Sequence, residues 1–552
     1  MAECVGVTAA VDGSAIYPAL VGEKSWKNVG VDHLPDPELG LGRTDFIVYV
    51  DGLGGASMAK HLRIFLGLAI IFCLTMVIWA VRSYGTSPWQ AWQTKYFQAN
   101  IADLQGKMTM VQGAEQASKL KQEIKDWQDK KPDVQEIRLS NGRVERCITC
   151  HLGIEEISAS HPSDSIGCTA CHGGNALSLD EKTAHEGMYG AGHPGRLEAS
   201  RLSCGGSTAV GQCHSGNKQE IDNQVDLMTT SLMASKGGEF SMSRYMFGLD
   251  IPPRVLLKPG ETAAKVQSPF NQRVEEPKFQ QNCLSTCHQT GGELPAQQTK
   301  ANGCESCHVL SNWQHTYEGQ DVTIPRQKSG YGISHRLTVQ IPYTQCNQCH
   351  NQGKSELYTM DFTPRPDLDR VKASPSADKE NLETRWQNVY SPGLVFTKCE
   401  VNLDCVDCHT RKEAMGDGEM YYSEWKTLKI QCRDCHGSAA GQPIPWKITD
   451  KSDMAWAEAR INPVFPALKM EDVILKTSKG EELAYVRLEN GKWFSYRKTN
   501  GEKYLIPQVI DSKCLQEPDK QSSDDCHKCH DVSKDKPSSG GAKMAIKEKI
   551  PH

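Results

Sequence analysis

The sequence predicts a largely irregular and α-helical domain organised by covalently bound groups. One N-terminal transmembrane helix precedes it, and a small β insertion sits near its C-terminus. Three observations carry this reading. Only 38% of the 552 residues are hydrophobic, below the usual globular share, so a chain long enough for several domains needs another source of core. The chain holds 22 Cys and 18 His, and nine cysteines that close a candidate motif are followed directly by His, as is Cys526 inside the last one. Finally, Ile64 to Val81 is an uncharged, mostly apolar run, long enough to span a bilayer. The formal net charge of -5 gives no basic footprint for nucleic acid.

The pairing of cysteine with histidine sets the class. A disulfide framework is indifferent to the residue after each cysteine, whereas C-x-x-C-H is the signature of c-type haem attachment. Composition alone predicts about 0.03 such motifs in a chain this long, and seven are present. They are Cys147/Cys150/His151, Cys168/Cys171/His172, Cys304/Cys307/His308, Cys346/Cys349/His350, Cys405/Cys408/His409, Cys432/Cys435/His436 and Cys526/Cys529/His530. The two thiols reach the two vinyl groups of one haem, and the adjacent His supplies the proximal nitrogen to the iron. Paired Cys-x-x-Cys zinc sites are the alternative, and the invariable following His argues against them. The fold class is therefore that of a multihaem c-type cytochrome.

Two further motifs are irregular. Cys283-Leu-Ser-Thr-Cys287-His288 has one extra residue between its thiols, and eight residues separate Cys204 from Cys213-His214. Both are expected to attach haem, for about nine haem c groups in all. A disulfide beside a stray His is the alternative at Cys204/Cys213. Cys399 and Cys514 stay unassigned between a disulfide, admissible in an oxidising compartment, and a thiolate ligand at Cys399.

Organisation follows from the same features. Residues 1–61 form a Gly-rich, poorly periodic segment, expected to be cytoplasmic, and 62–82 the transmembrane helix bracketed by Arg63 and Arg82. A signal peptide is the alternative for this run. Residues 83–140 read as a helical stalk, with Trp89, Trp92, Tyr96 and Phe97 on one stripe. Packing of that stripe on its own domain and binding of a partner are both open. The multihaem domain is expected over 141–445, with eight haems. Residues 446–532 hold the last motif and the β insertion, whose short alternating runs lie between 470 and 510. Residues 533–552 form a Lys, Ser and Gly-rich tail. Haem attachment is expected outside the cytoplasmic membrane, which places the domain in the periplasm or its equivalent.

Distal ligands decide the chemistry, because a haem with two protein ligands transfers electrons and an open one binds substrate. The spare histidines are His161, His185, His193, His315, His335 and His527, with the terminal His552 a poor candidate. Six distal histidines cannot serve nine haems. Methionine is the usual substitute, and Met415 heads a group that includes Met188, Met233, Met242 and Met246.

With these motifs in place, much of 130–440 resembles membrane-associated multihaem cytochromes c. Arg143-Val-Glu-Arg-Cys-Ile-Thr-Cys-His, then His161-Pro, then Gly167-Cys-Thr-Ala-Cys-His-Gly-Gly is similar to the opening haem pair of cytochromes near quinol-oxidising, bc-type complexes. His185-Glu-Gly-Met ahead of Cys204 and Cys213-His214 resembles the next haem, which implies His185 as a ligand. Gly303-Cys-Glu-Ser-Cys-His with Tyr317-Glu-Gly and His335-Arg-Leu-Thr resembles a middle pair and implies His335. Asp404-Cys-Val-Asp-Cys-His and Gln431-Cys-Arg-Asp-Cys-His resemble a later one. The chain departs from the pattern where a His tends to precede the Cys405 motif, having Phe396-Thr-Lys-Cys399, and where Met415 precedes Gly416-Asp417-Gly418. Both changes remove a distal His and make Met415 attractive as its replacement.

The resemblance implies an electron-transfer subunit of a membrane respiratory complex. Its expected partners are an integral, quinone-reactive, cytochrome b-like subunit and a soluble periplasmic redox protein. The alternative is a multihaem oxidoreductase with one open haem acting on a small nitrogen or sulfur compound. The lack of a Cys-x-x-Cys-Lys motif weighs against a nitrite-reductase-like site.

Overall fold

The computed structural model describes residues 55–85, 87–197, 199–207, 211–215, 223–228, 231, 255–256, 303–356, 361–365, 397–420, 427–510, 512–514 and 516–531. The expectations for the segment before 55, the Cys283/Cys287/His288 motif, Met233, Met242, Met246, His552 and the tail lie outside the described residues. The chain divides into two compact units, Met1–Ala80 and Val81–His552, and each is taken by itself.

In the first, the described part belongs to the helix Gly55–Gly85. Its window Lys60–Trp79 is long and apolar enough to cross a membrane, and its Leu, Ile and Phe side chains are exposed all round. A helix apolar on every face has no polar side to give to water. The same length and composition also fit a signal sequence.

In the second unit the expected stalk is two helices, Pro88–Met110 and Ala114–Asp129. The break falls at 111–113, ending at Gly113, and the helices pack as a hairpin. Tyr96 and Phe97 meet Trp127 at centroid separations of 5.7 and 5.8 Å. The aromatic stripe therefore packs on its own domain. Buried Gln93 fixes the hairpin to the first motif, its Nε2 donating to Asp133 O at 2.7 Å and Thr149 O at 2.8 Å. Gly153 has φ +82°, and the Tyr96 ring fills the space a Cβ there would take.

The motif region between Cys147 and His436 is mostly irregular, with helices of three to five residues at the motifs. Beyond it lies a five-stranded antiparallel meander: β1 (Ile444–Lys447), β2 (Val473–Lys476), β3 (Glu482–Glu489), β4 (Lys492–Tyr496) and β5 (Lys503–Leu505). The sequence runs between 470 and 510 predict β2 to β5. They miss β1, which contains Pro445, a residue sheets tolerate at an edge, and β1 is an edge strand. The sheet is buried on both faces. Leu475, Leu483, Tyr485 and Trp493 form one cluster, against which Ile430 and the motif residue Cys435 pack. Ile448, Ile474 and Ala484 form the other, with Ala455 and Ala459 of the helix Met454–Ile461. Alternation along β2 sends Ile474 and Leu475, both fully buried, to opposite faces.

Candidate haem-binding site

Each regular motif makes one tight turn. The amide of the motif His donates to the carbonyl of its first Cys, at 3.1 Å for His151/Cys147, 3.0 Å for His308/Cys304, 2.9 Å for His350/Cys346, 2.8 Å for His409/Cys405 and 2.9 Å for His530/Cys526. The wide motif restores this contact. Gly206–Ser207 pairs with Gly211–Gln212 as a small hairpin, and His214 N donates to Cys204 O at 2.9 Å. The backbone of Cys204 and His214 thus regains the contact that closes a regular motif.

The residues around the cysteines hold these turns. Fully buried Glu145 accepts from the amides of Cys168 at 2.6 Å and Thr169 at 3.1 Å. In the Cys405 and Cys432 motifs the residue before the second Cys is Asp, and it closes a capping box. Asp407 accepts from Asp404 N at 2.8 Å and Asp434 from Gln431 N at 2.7 Å. The sheet grips the same two motifs. Tyr485 Oη donates to Asp407 O at 2.7 Å, Lys498 N to Asp407 Oδ1 at 2.8 Å, and Ser478 N to Asp434 Oδ1 at 2.8 Å. Burial pushes the Asp407 carboxyl up to about 6.

The motifs meet in pairs through their first cysteines. Cys147 lies against Cys168, Cys204 against Cys304, Cys346 against Cys405, and Cys432 against Cys526. Between pairs, Cys171 is in electrostatic reach of Cys204 and Cys213, Cys307 of Cys346, and Cys408 of Cys435. The described motifs therefore follow one another in space in chain order.

Three spare histidines face motif histidines. Ring centroids are 6.2 Å apart for His151 and His185, 6.1 Å for His214 and His161, and 5.9 Å for His172 and His335. Two metal–imidazole bonds of about 2 Å, plus about 1.1 Å from each centroid to its nitrogen, total about 6.2 Å. The rings are spaced for one iron between them. The other spare residues have other neighbours, and His193, His527 and Met415 line the same cavity as the motif histidines. His193 is 6.1 Å from Tyr331 and its Nδ1 is 3.4 Å from Glu305. His527 Nε2 meets Glu400 Oε1 at 3.1 Å. His315 is buried at φ +53°. Met415 follows the helix Arg411–Ala414, and its carbonyl accepts from Gln224 at 3.0 Å. Cys399 and Cys514 are not disulfide-bonded. Cys399 lies near Cys408, Cys432 and Cys435, where burial raises its thiol.

The second ring nitrogen separates the motif histidines. His151 Nδ1 donates to Asp321 Oδ2 at 2.7 Å, and His409 Nδ1 to Glu413 Oε2 at 2.8 Å. His308 donates to Thr338 O and His436 to Pro507 O, each at 2.8 Å. The buried His172 Nδ1 has no partner among the described residues. The ring basicities follow. Burial lowers His151, but Asp321 outweighs it and the net shift is upward. The Glu413 bond raises His409. Burial holds His308 and His436 down against their carbonyl partners, and sends His172 to about 3 with His335 adding to the effect. No local signal in the sequence marks Asp321 or Glu155, because their histidine partners stand about 170 and 180 residues away.

The first cysteine and the histidine of every described motif line one connected cavity of about 4330 Å³. Ordinary ligand pockets hold roughly 300–1,000 Å³, so this space suits several large groups. The second cysteines Cys150, Cys171, Cys213, Cys307, Cys408, Cys435 and Cys529 line it too. Cys349 alone among the cysteines of the described motifs is not on this wall. It is half-buried but off the cavity wall, while Cys346 and His350 of its own motif are on it. The helix Tyr343–Cys346 ends at the first Cys of this motif, and the Cys349 amide donates to Cys346 O at 3.1 Å, as the Cys150 amide does to Cys147 O. Haem fits the donor set as a whole: thiols at its rim, imidazoles at bis-ligand spacing, and Nδ1 atoms tethered so that Nε2 faces inward.

Residues 345–437 match the family described as Cytochrome c554 and c-prime. That stretch holds the motifs at Cys346, Cys405 and Cys432, and the match supports a c-type cytochrome with covalently bound haem and haem-based electron transfer. No curated protein and no solved structure matches the chain.

Proposed function

We propose that the chain is a periplasm-facing electron-transfer subunit of a membrane respiratory complex. It carries about nine c-type haems between a quinone-reactive membrane partner and a periplasmic redox protein. The observation that supports this most directly is the succession of the described motifs, joined first Cys to first Cys within pairs and by close thiols between them. Haem, when bound, supplies one-electron chemistry.

The chain's own residues do the rest. The cysteines anchor, and the motif histidines supply proximal nitrogens. His185, His335 and His161 close the far side of the first three motifs, which favours conduction over substrate binding there. Glu145, Asp407 and Asp434 hold the turns rigid. The apolar helix Gly55–Gly85 suits an anchor, which would keep the wire near a membrane donor.

Low-temperature EPR of the oxidised, full-length protein, with and without cyanide, tests the reading. Low-spin signals unaffected by cyanide are expected. A high-spin signal that cyanide shifts would make the chain an oxidoreductase acting on a small nitrogen or sulfur compound.

A further inference from the structure

We infer that Asp321 and Glu413 lower the potentials of the His151 and His409 motifs below those of their His172 and His436 neighbours. The inference rests on the haem reading above. Both carboxylates are buried, with side chains 0% and 5% exposed, and each accepts the Nδ1 proton of a motif histidine. A buried carboxylate on that proton gives the ring imidazolate character and strengthens Nε2 as a donor. It also leaves a negative charge beside the iron in a medium that screens poorly. Both effects favour the oxidised metal, so the potential falls.

Each carboxylate is locked in place. Asp321 Oδ1 accepts from Thr323 N and Thr323 Oγ1, both at 2.8 Å, and Thr323 Oγ1 also meets His151 Nδ1 at 2.9 Å. Glu413 Oε1 accepts from Lys429 N at 2.6 Å. The neighbours differ. His172, whose motif touches that of His151 through Cys168 and Cys147, has no Nδ1 acceptor among the described residues. His436, reached from the His409 motif through Cys408 and Cys435, donates only to a neutral carbonyl. In the first case a charged tether stands next to a ring with no acceptor among the described residues, and in the second next to an uncharged tether, so the downhill direction runs from the His151 motif to the His172 motif and from the His409 motif to the His436 motif. Reduction at either tethered position takes up one electron from the upstream donor. The Nδ1 proton stays between ring and carboxylate, and no bond is made or broken.

The test uses the full-length, haem-loaded protein carrying Asp321→Asn or Glu413→Gln, which keep an acceptor and remove the charge. Haem on the Cys147/Cys150 and Cys405/Cys408 peptides is first established by mass. Its absence there in the unaltered protein would refute the haem reading itself. A spectroelectrochemical titration then follows each midpoint, and EPR follows the g-values of the low-spin signals. Each variant is expected to move one midpoint to higher potential, with one EPR signal changed and the others unmoved. A structural role would leave both readouts in place. Full haem loading with midpoints that superimpose on the unaltered protein, or move lower, overturns the inference. Should Asp321→Asn fail to load haem, Glu413→Gln carries the same test on a separate segment.

Discussion

The motif region and the C-terminal sheet are built on different principles. The sheet has a conventional core: Ile474, Leu475, Ala484 and Tyr485 are essentially inaccessible, and strands alternate between two packed faces. The motif region has almost none. Its buried residues are scattered and often polar, such as Glu145, Thr149, Asp321, Gln345 and Asp404. They satisfy backbone groups around a large connected cavity. One region is held by apolar burial, the other by hydrogen-bonded turns whose interior is completed by bound groups.

The largest expected effect follows from that contrast. If the chain is made without haem attachment, amide exchange protection should survive in β2 to β4 and be lost from 147–215 and 303–350. Equal protection in both regions would break the comparison. Ile474→Ala should cost about 2–5 kcal/mol in the sheet, read by denaturant unfolding, while haem stays attached at Cys147 and Cys168. Gly153→Ala should cost about 1–3 kcal/mol, because its φ is positive and Tyr96 occupies the Cβ position. That loss should loosen the helical hairpin and leave the sheet's unfolding unchanged. Tyr485→Phe removes a single bond from sheet to motif, to Asp407 O, and should cost about 1 kcal/mol.

The smallest effect is a pH dependence at Glu155 in the motif region. Burial raises the Glu155 carboxyl, but the amides of His335 and Gln320 and the Tyr317 hydroxyl outweigh it and hold the group below its ordinary value. A carboxylate depressed in the fold stabilises at and above its ordinary range and loses that contribution as pH falls through the folded value. Acidification through that value should therefore release the His335 side of the first motif pair. Exchange protection at His335 and Gln320 between neutral and acid pH checks the sign.

The sequence announces what is local. Cys-x-x-Cys-His spacing marks the turns, alternation marks β2 to β5, and the apolar run from Ile64 marks the long helix. What it hides depends on distance along the chain. Nothing near Asp321 points to His151, and only folding brings Cys432 to Cys526. Spacing also says nothing of where a helix stops. Cys349 and Cys408 occupy the same place in their motifs, yet one helix ends at Cys346 and the other begins at Cys405. The wide motif is intermediate: glycines around Cys204 suggest a tolerant insert, but the hairpin that restores the His214 to Cys204 contact needs both halves in place. Spare histidines are equally silent, since His161 and His527 look alike in sequence, while one faces His214 and the other Glu400.

The central claim is that the motif thiols are consumed by haem along one continuous chain of sites. Quantifying haem by pyridine haemochrome together with thiol alkylation of the denatured protein tests it most directly. The account predicts about nine haems per chain, with alkylation at Cys4, Cys73, Cys399 and Cys514 only. Alkylation of the motif cysteines, with little or no haem, would contradict it.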